Sequence, residues 1–534
     1  MTAMSPSSPR SPFFPRRLAL RSGWLALLAL CATSNAFAKV ELPPVLDSHM
    51  VLQRGMPVPV WGTAEPGEAV SVAFHGQTKR TAADASGKWM IKLDPLQPGD
   101  PGELIVTGKN TITLKDVVVG EVWVGSGQSN IDSPVTMYDK DDPILKEAAD
   151  QLHPNVRVFR NGKTHLKWSQ WDPKKTRSFS AQLFYYGLKL QEELGVPVGL
   201  IQAAVAGSPS GPWIDAESFR SDPVIQQAAA LSNAKEPLES RMKNYEASLK
   251  QWQEKTAAAK AAGTPESQWP KAPARPKPYG QQTTGEFYDQ FVRPIIPFAI
   301  RGVLWDQGEG GSTGGIDQIS LMSGLIRAWR KNWGQGEFPW LYVKKPSGGG
   351  CALNPDNPVN RGAKPFEPLP SKPPAQDYFS SKHQESYRIA QNPNTFLVTT
   401  TDLVGGLHPV NKSGYGTRGC LVAMGAVYGK PAEYYGPVYE SAKPEGNTLR
   451  ITFTHTGKGL TTPAGQPLQG FLIAGEDKKF HWAEARIDGK TVVLSSPQVS
   501  RPVAARYAWT WPLAWANLFN ADGLPAFTFR TDAP

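Results

Sequence analysis

Val117 to Asn130 reads VVVGEVWVGSGQSN, a β-branched, apolar run that breaks abruptly into small residues around Ser129. A strand that stops at Gly125-Ser126-Gly127 lets the backbone turn sharply, so that the following hydroxyl stands clear of the sheet edge, which is how a nucleophilic serine is displayed. The motif is Gly-Gln-Ser-Asn and not G-x-S-x-G, because Asn130 follows the serine and no glycine comes after it.

Outward from this run, towards the C-terminus, strand and helix patterns alternate. Ala181 to Leu194 puts Leu183, Tyr186, Leu190 and Leu194 on one helical stripe, closed by Gly195. Buried-strand runs follow at Val196 to Val205, ending in Ala206-Gly207-Ser208, and at Ile300 to Trp305, ending in Asp306-Gln307-Gly308-Glu309. Helical patterns over Asp222–Ala262, Ile316–Trp333 and 376–391 and strands at Trp340–Val343 and Thr395–Thr400 complete the series. This order predicts an α/β fold, a three-layer α/β/α domain on a mostly parallel sheet, with its site in the loops after the strands. A Gly- and Pro-rich segment, 346–374, is expected as a lip over the cleft.

Towards the N-terminus the period is two. Val70, Val72 and Phe74 alternate with small or polar residues, as do Trp89, Ile91 and Leu93, between turn signals such as Glu65-Pro66-Gly67. Alternation returns after Glu433, at Leu449, Ile451 and Phe453. The expected organisation is a signal peptide over 1–38, a β-sandwich-like domain over 39–117, a catalytic domain over 118–432 and a β-rich domain over 433–534.

The signal peptide rests on Arg10, Arg16, Arg17 and Arg21 ahead of an apolar run from Trp24 to Ala32, with Ala36-Phe37-Ala38 as the cleavage site. That run is too short to span a bilayer, so a periplasmic or secreted protein cleaved after Ala38 is expected, with no membrane association in the mature form. Cleavage removes four arginines and lowers the formal charge from +10 to +6. The remaining surplus holds no Lys/Arg run dense enough for a nucleic-acid groove. Cleavage also removes Cys31 and leaves Cys351 and Cys420, whose pairing the sequence leaves open. No HExxH and no Cys cluster points to a metal, and no GxGxxG or Walker loop points to a nucleotide, so no cofactor is expected.

Attack by a serine alkoxide requires a base within hydrogen-bond reach. Of eight histidines, His408 alone follows a strand and a small-residue turn, Gly405-Gly406, with Pro409 placed to start the next helix. It is the candidate base for Ser129.

These segments together carry a resemblance. LPPVLDSHMVLQR at 42–54, GEVWVGSGQSN at 120–130, GVPVGLIQAAVAGS at 195–208, RGVLWDQGE at 301–309 and TTDLVGGLHPVNK at 400–412 are similar, in order, to the sialate O-acetylesterases and their carbohydrate acetylesterase relatives in the SGNH hydrolase superfamily. The resemblance implies Ser129 as nucleophile and His408 as base. It also implies an oxyanion hole made by the backbone amides of Ser129 and Gly207, with the Gln307 side-chain amide as a third donor. Gln128 and Asn130 are expected to hold the turn in shape through side-chain to backbone bonds.

The chain departs from the family where an aspartate usually precedes the histidine by two or three residues: here Gly405 and Gly406 stand. Asp402, Glu309 and a Ser-His dyad without an acid remain open for the orienting role. The resemblance implies a carboxylic ester hydrolase that removes acetyl groups from O-acetylated oligo- or polysaccharide, either sialic acid or a plant cell-wall polymer such as xylan or xyloglucan. The competing readings are a carbohydrate-binding protein with a weakened hydrolase domain, favoured by the missing aspartate, and a lipase or thioesterase, for which no long aliphatic run speaks.

Overall fold

In the computed structural model the serine-bearing strand is longer than its apolar core: Thr111–Gly127 (β1) runs for 17 residues. Residues 39–162, 166–307, 313–375 and 378–532 are described; the expected signal peptide at 1–38 lies outside them. The first part of β1 pairs antiparallel with Gly102–Thr107, and its second part joins a parallel sheet. Val51–Gln53 adds alongside Val118 to Gly120. The expected seam at 117/118 therefore falls inside one strand, and Lys39–Pro534 forms a single unit. One continuous strand thus links the N-terminal β region to the serine turn.

Glu121 reinforces this junction. Fully buried in β1, it accepts from Arg54 at 2.6 Å, from Gln53 at 3.0 Å and from Arg301 at 2.8 Å. Burial alone would raise its carboxyl, but these donors outweigh burial and hold it below the usual carboxylate range.

The remaining main-sheet strands are His153–Arg160 (β2), Leu166–Trp171 (β3), Val198–Ala204 (β4), Gly302–Asp306 (β5), Trp340–Val343 (β6) and Thr395–Val398 (β7). Their spatial order is β7-β6-β5-β1-β4-β2-β3, all parallel except β3, which runs antiparallel to β2. β1 lies between β5 and β4, so the C-terminal ends of these three strands deliver Ser129, Gln307 and Gly207 to adjacent places.

Alternate residues along each strand feed two apolar clusters. Trp123, Val198, Leu200 and Leu341 pack with the helix Ala181–Leu194 and its neighbours, whereas Val122, Val124, Val303 and Trp340 pack with the helix Gln318–Trp333. Both faces are thus covered by helices, which is why the strands read as near-continuous apolar runs. The expected helix over Asp222–Ala262 is two, Pro223–Lys235 and Leu238–Ala261, broken where Pro237 cannot continue the first. Trp123, Trp168, Trp171, Trp213, Trp305, Trp329 and Trp340 are all fully buried. Those tryptophans are core.

Within the segment 346–374, expected as a lip, the first part forms a buried wedge, while most of 353–374 is exposed. Residues 344–352 are buried, and a Cβ on Gly348 would meet the Gly405 Cα at 2.3 Å, while one on Gly349 would meet the Trp511 ring at 2.4 Å. The three glycines allow the backbone to thread between the histidine loop and the C-terminal region, where Gly350 N–H donates to Thr401 O at 2.7 Å. Glycine serves close approach here, not mobility. The C-terminal region itself holds, among the described residues, two four-stranded antiparallel sheets and a two-stranded one, with Leu449, Ile451, Phe471 and Val492 in its core. Cys351 and Cys420 are both free, buried thiols, which burial pushes up to about 12.

One buried pair makes stability depend on pH. Lys344, enclosed at the end of β6, lies 2.7 Å from His383 Nδ1, and the His383 Nε2–H donates to Thr510 O at 2.9 Å. Burial lowers Lys344 to about 7 and, with the neighbouring ammonium, holds His383 well below its usual range. Between pH 7 and pH 9 the unfolded chain carries the Lys344 proton and the folded chain does not, so stability rises with pH by up to about 1.4 kcal/mol per unit. Above pH 9 the buried thiols oppose this trend, since the unfolded chain ionises them first. Calorimetric melting of wild type and Lys344→Met across pH 6 to 9 is expected to show this rise in wild type and a flatter profile in the variant.

Candidate active site

Gly127 ends β1 at φ +126°, and a Cβ there would meet the Asp306 carbonyl oxygen at 2.4 Å. Only glycine passes between β1 and the end of β5. The chain then turns at Gln128, whose N–H donates to Asp306 O at 3.1 Å and whose carbonyl accepts from Ile131 and Asp132. Ser129 opens the short helix Ser129–Asp132 (α1).

His408, in the loop after β7, is exposed, and the half-buried Ser129 hydroxyl donates to its Nε2 at 2.8 Å. The two residues are 279 positions apart in sequence. This geometry is what a general base needs to take the hydroxyl proton during attack. It requires the Nδ1–H tautomer of a neutral imidazole.

The backbone N–H groups of Ser129 and Gly207 have no acceptor among the described residues. Gly207 follows β4 at φ +73°. Its loop is tied to the serine turn twice: Asp132 of α1 accepts from Ala206 N–H at 3.0 Å, and the Ser208 hydroxyl donates to Gly127 O at 3.3 Å. Two amides without a backbone or side-chain acceptor among the described residues therefore lie on neighbouring turns that are fixed to each other.

Gln307 does not fit the donor role expected of it. Its side chain is fully buried; Nε2 donates to Ser208 O at 3.0 Å, and Oε1 accepts from the Ser210 hydroxyl at 2.5 Å and from Gln318 at 3.4 Å. An amide so engaged supports the Gly207 loop from beneath. The bonds expected of Asn130 also differ. Its Nδ2 donates to Leu407 O at 3.2 Å and its Oδ1 accepts from Lys412 at 2.7 Å, so it fastens the serine turn to the histidine loop and not to itself. The Gln128 side chain makes no cap on α1, while its backbone holds the turn.

Asp402 is placed away from the imidazole's needs. Its two carboxylate oxygens accept from Arg418 at 2.9 and 2.8 Å, and one also accepts from Asn360 at 2.6 Å. Among the described residues no carboxylate hydrogen-bonds to His408. Glu309 lies outside the described residues.

Several positioning residues escaped the sequence reading. Lys412 begins the helix Lys412–Val422, which Asn411 caps by accepting from Gly414 N–H at 2.7 Å; Asp142 accepts from both the N–H and the hydroxyl of Ser413 at 2.7 and 2.8 Å. Together with Asn130 these bonds hold both ends of the histidine loop. Asn130→Asp keeps an acceptor for Lys412 but removes the donor to Leu407 O. It is expected to lower kcat on 4-nitrophenyl acetate about 10- to 100-fold by loosening the Ser129–His408 distance, with the folded state retained in circular dichroism.

Among known proteins, no family model matches the chain. It is 24% identical over 565 residues to the sialate O-acetylesterase of Rattus norvegicus, covering 95% of this chain and 98% of that one. To the sialate O-acetylesterase of Homo sapiens it is 23% identical over 566 residues, 95% of each chain. Among solved structures, a novel carbohydrate acetylesterase from Xanthomonas citri superposes with a TM-score of 0.69 at 27% identity, over 93% of this chain and 100% of that one. The likeness runs nearly end to end and takes in the strands that deliver serine, glycine and histidine. This chain is a homologue of the sialate O-acetylesterases and a carboxylic ester hydrolase.

Proposed function

We propose that the chain is an exported serine O-acetylesterase of saccharides, built on the three-layer α/β/α core of the SGNH hydrolases between two β-sandwich-like regions. Helices on both faces of the parallel sheet support the fold assignment, and the Arg-rich, then apolar N-terminus ending at Ala38 supports secretion or the periplasm. The observation that carries the activity is the 2.8 Å contact of Ser129 with His408.

In this mechanism the Ser129 Oγ attacks the acetyl carbonyl carbon while His408 Nε2 takes its proton. The amides of Ser129 and Gly207 receive the oxyanion charge. Collapse breaks the bond to the sugar oxygen, which leaves with the proton from His408, and the acetyl group stays on Ser129. Water then gives a proton to His408 and its oxygen to the acetyl carbon. A second collapse releases acetate and returns the proton to Ser129.

Acetate release is the test, with acetylated xylo-oligosaccharides, acetylated xyloglucan oligosaccharides and O-acetylated sialic acid as substrates. Release from at least one, absent from a Ser129→Ala control, is expected. Binding of these sugars with no acetate release from any would sustain the reading as a carbohydrate-binding protein instead. With Asp402 engaged by Arg418, Glu309 is the remaining carboxylate for orienting His408. Glu309→Gln separates triad from dyad: a loss of about 10⁴-fold in kcat marks a triad acid, one below about tenfold a dyad.

A further inference from the structure

Beside the histidine, a cavity of about 290 Å³ opens between Leu407, Ser347, Tyr378, Phe379 and Trp511. Its walls come from four parts of the chain, Ser347 belonging to the segment that follows β6. Tyr378 and Phe379 begin the helix Tyr378–Ile389, Leu407 precedes His408, and Trp511 comes from the C-terminal region. The Phe379 and Trp511 rings lie 4.9 Å apart at 37°, and Tyr378 meets Phe379 edge-on at 5.5 Å. Tyr378 is 57% exposed and Leu407 62%, so apolar surface faces solvent immediately beside a catalytic group.

This wall is held in place before any ligand arrives. Ser380 donates to Trp509 O at 2.8 Å, His383 to Thr510 O at 2.9 Å, and the Trp511 indole N–H to Gly348 O at 3.3 Å. The room for the Trp511 ring exists because position 349 carries no Cβ. Such anchoring removes the entropy cost of ordering aromatic side chains on binding.

The position of the cavity identifies its occupant. Along the sheet, the Gly207 amide lies on the β4 side of Ser129, while His408 and the cavity lie on the β6–β7 side. In acyl transfer the oxyanion points to the amides and the leaving oxygen takes its proton from the histidine, so the alcohol half of the ester sits on the histidine flank. A pyranose presents one face of C–H groups with hydroxyls at its rim, and an apolar, aromatic wall open to water suits that shape. Resting on the saccharide esterase reading above, we infer that Tyr378, Phe379, Leu407 and Trp511 form a saccharide subsite that stacks a sugar ring of the leaving group beside the scissile ester.

The test compares a sugar ester with a sugarless one. For wild type, Tyr378→Ala and Trp511→Ala, kcat and KM are measured on 4-nitrophenyl acetate, on 4-nitrophenyl butyrate and on whichever acetylated oligosaccharide above wild type hydrolyses best. The ratio of kcat/KM for the oligosaccharide to that for 4-nitrophenyl acetate is expected to fall about tenfold in Tyr378→Ala, mainly through KM. Tyr378 is exposed, so this variant stays informative even where Trp511→Ala fails to fold. An unchanged ratio in Tyr378→Ala overturns the subsite while leaving the esterase reading intact. A change in the butyrate-to-acetate ratio in place of the sugar ratio assigns the cavity to the acyl group and overturns it as well. Wild type that releases acetate from no sugar ester overturns the functional reading, and the subsite with it.

Discussion

Ser129→Ala is expected to lower kcat on 4-nitrophenyl acetate by about 10⁵- to 10⁶-fold and to leave thermal stability nearly unchanged. The loss follows from the mechanism: without Oγ there is no acyl-enzyme, and what remains is water attack assisted by the two amides. The stability expectation follows from the local structure. Ser129 is half-buried and opens α1, whose N-terminal turn is held by the backbone of Gln128 and by the side chain of Asp132 towards Ala206. The hydroxyl's one recorded side-chain bond is the 2.8 Å contact to His408, itself exposed. His408→Ala is expected to cost a similar factor, and the double variant no more than either single, because the two act as one unit. Stopped-flow burst kinetics add a second check: a burst of 4-nitrophenolate in wild type, absent from Ser129→Ala. Losses in the two single variants that multiply in the double would show that serine and histidine do not work together.

How much of this was legible in the chain depends on the range over which each feature is specified. The serine turn is local: apolar β-branched residues up to Val124 demand a strand, and Gly127 tolerates a backbone path that a Cβ would block. His408 was found by the same logic, a small-residue turn after a strand. The residues that hold the two together were not found. Asp132, Asp142 and Lys412 are polar residues near helix ends, where a cap or a solvated face is the ordinary reading. Their partners lie 74, 271 and 282 positions away in sequence. Asn130 was assigned to its own turn for the same reason: side chain to backbone bonds are usually local, and its bond to Leu407 O spans 277 positions. The glycine run at 348–350 was read as part of a lip over the cleft, whereas it provides close approach; composition cannot tell these apart, because both follow from the absent Cβ. Gln307 was offered as an oxyanion donor on the family resemblance, at the end of a strand run. Its burial against Ser208, Ser210 and Gln318 appears only once the loops after β4 and β5 are packed.

Arg418→Met is expected to destabilise the protein by about 3–5 kcal/mol, the cost of leaving a buried carboxylate without its cation. Asp402 and Arg418 are both fully enclosed and bind each other through two parallel bonds of 2.9 and 2.8 Å. The same guanidinium donates to Thr399 O at 3.1 Å, just beyond β7, and Asn360 donates to both the carboxylate and the carbonyl of Asp402. The pair therefore joins the end of β7, the helix behind the histidine and the short helical turn Pro358–Asn360. Replacing both partners by apolar residues, Asp402→Leu with Arg418→Met, is expected to recover most of the loss, since removing an ion pair whole avoids the stranded charge. Asp402→Asn then separates structure from chemistry. It keeps an acceptor for Arg418, and at a temperature where it stays folded its kcat is expected to remain within about tenfold of wild type, against about 10⁴-fold for loss of a triad acid. Denaturant unfolding and kcat on the same samples read the two effects independently, and a collapse of kcat in folded Asp402→Asn would return this carboxylate to His408.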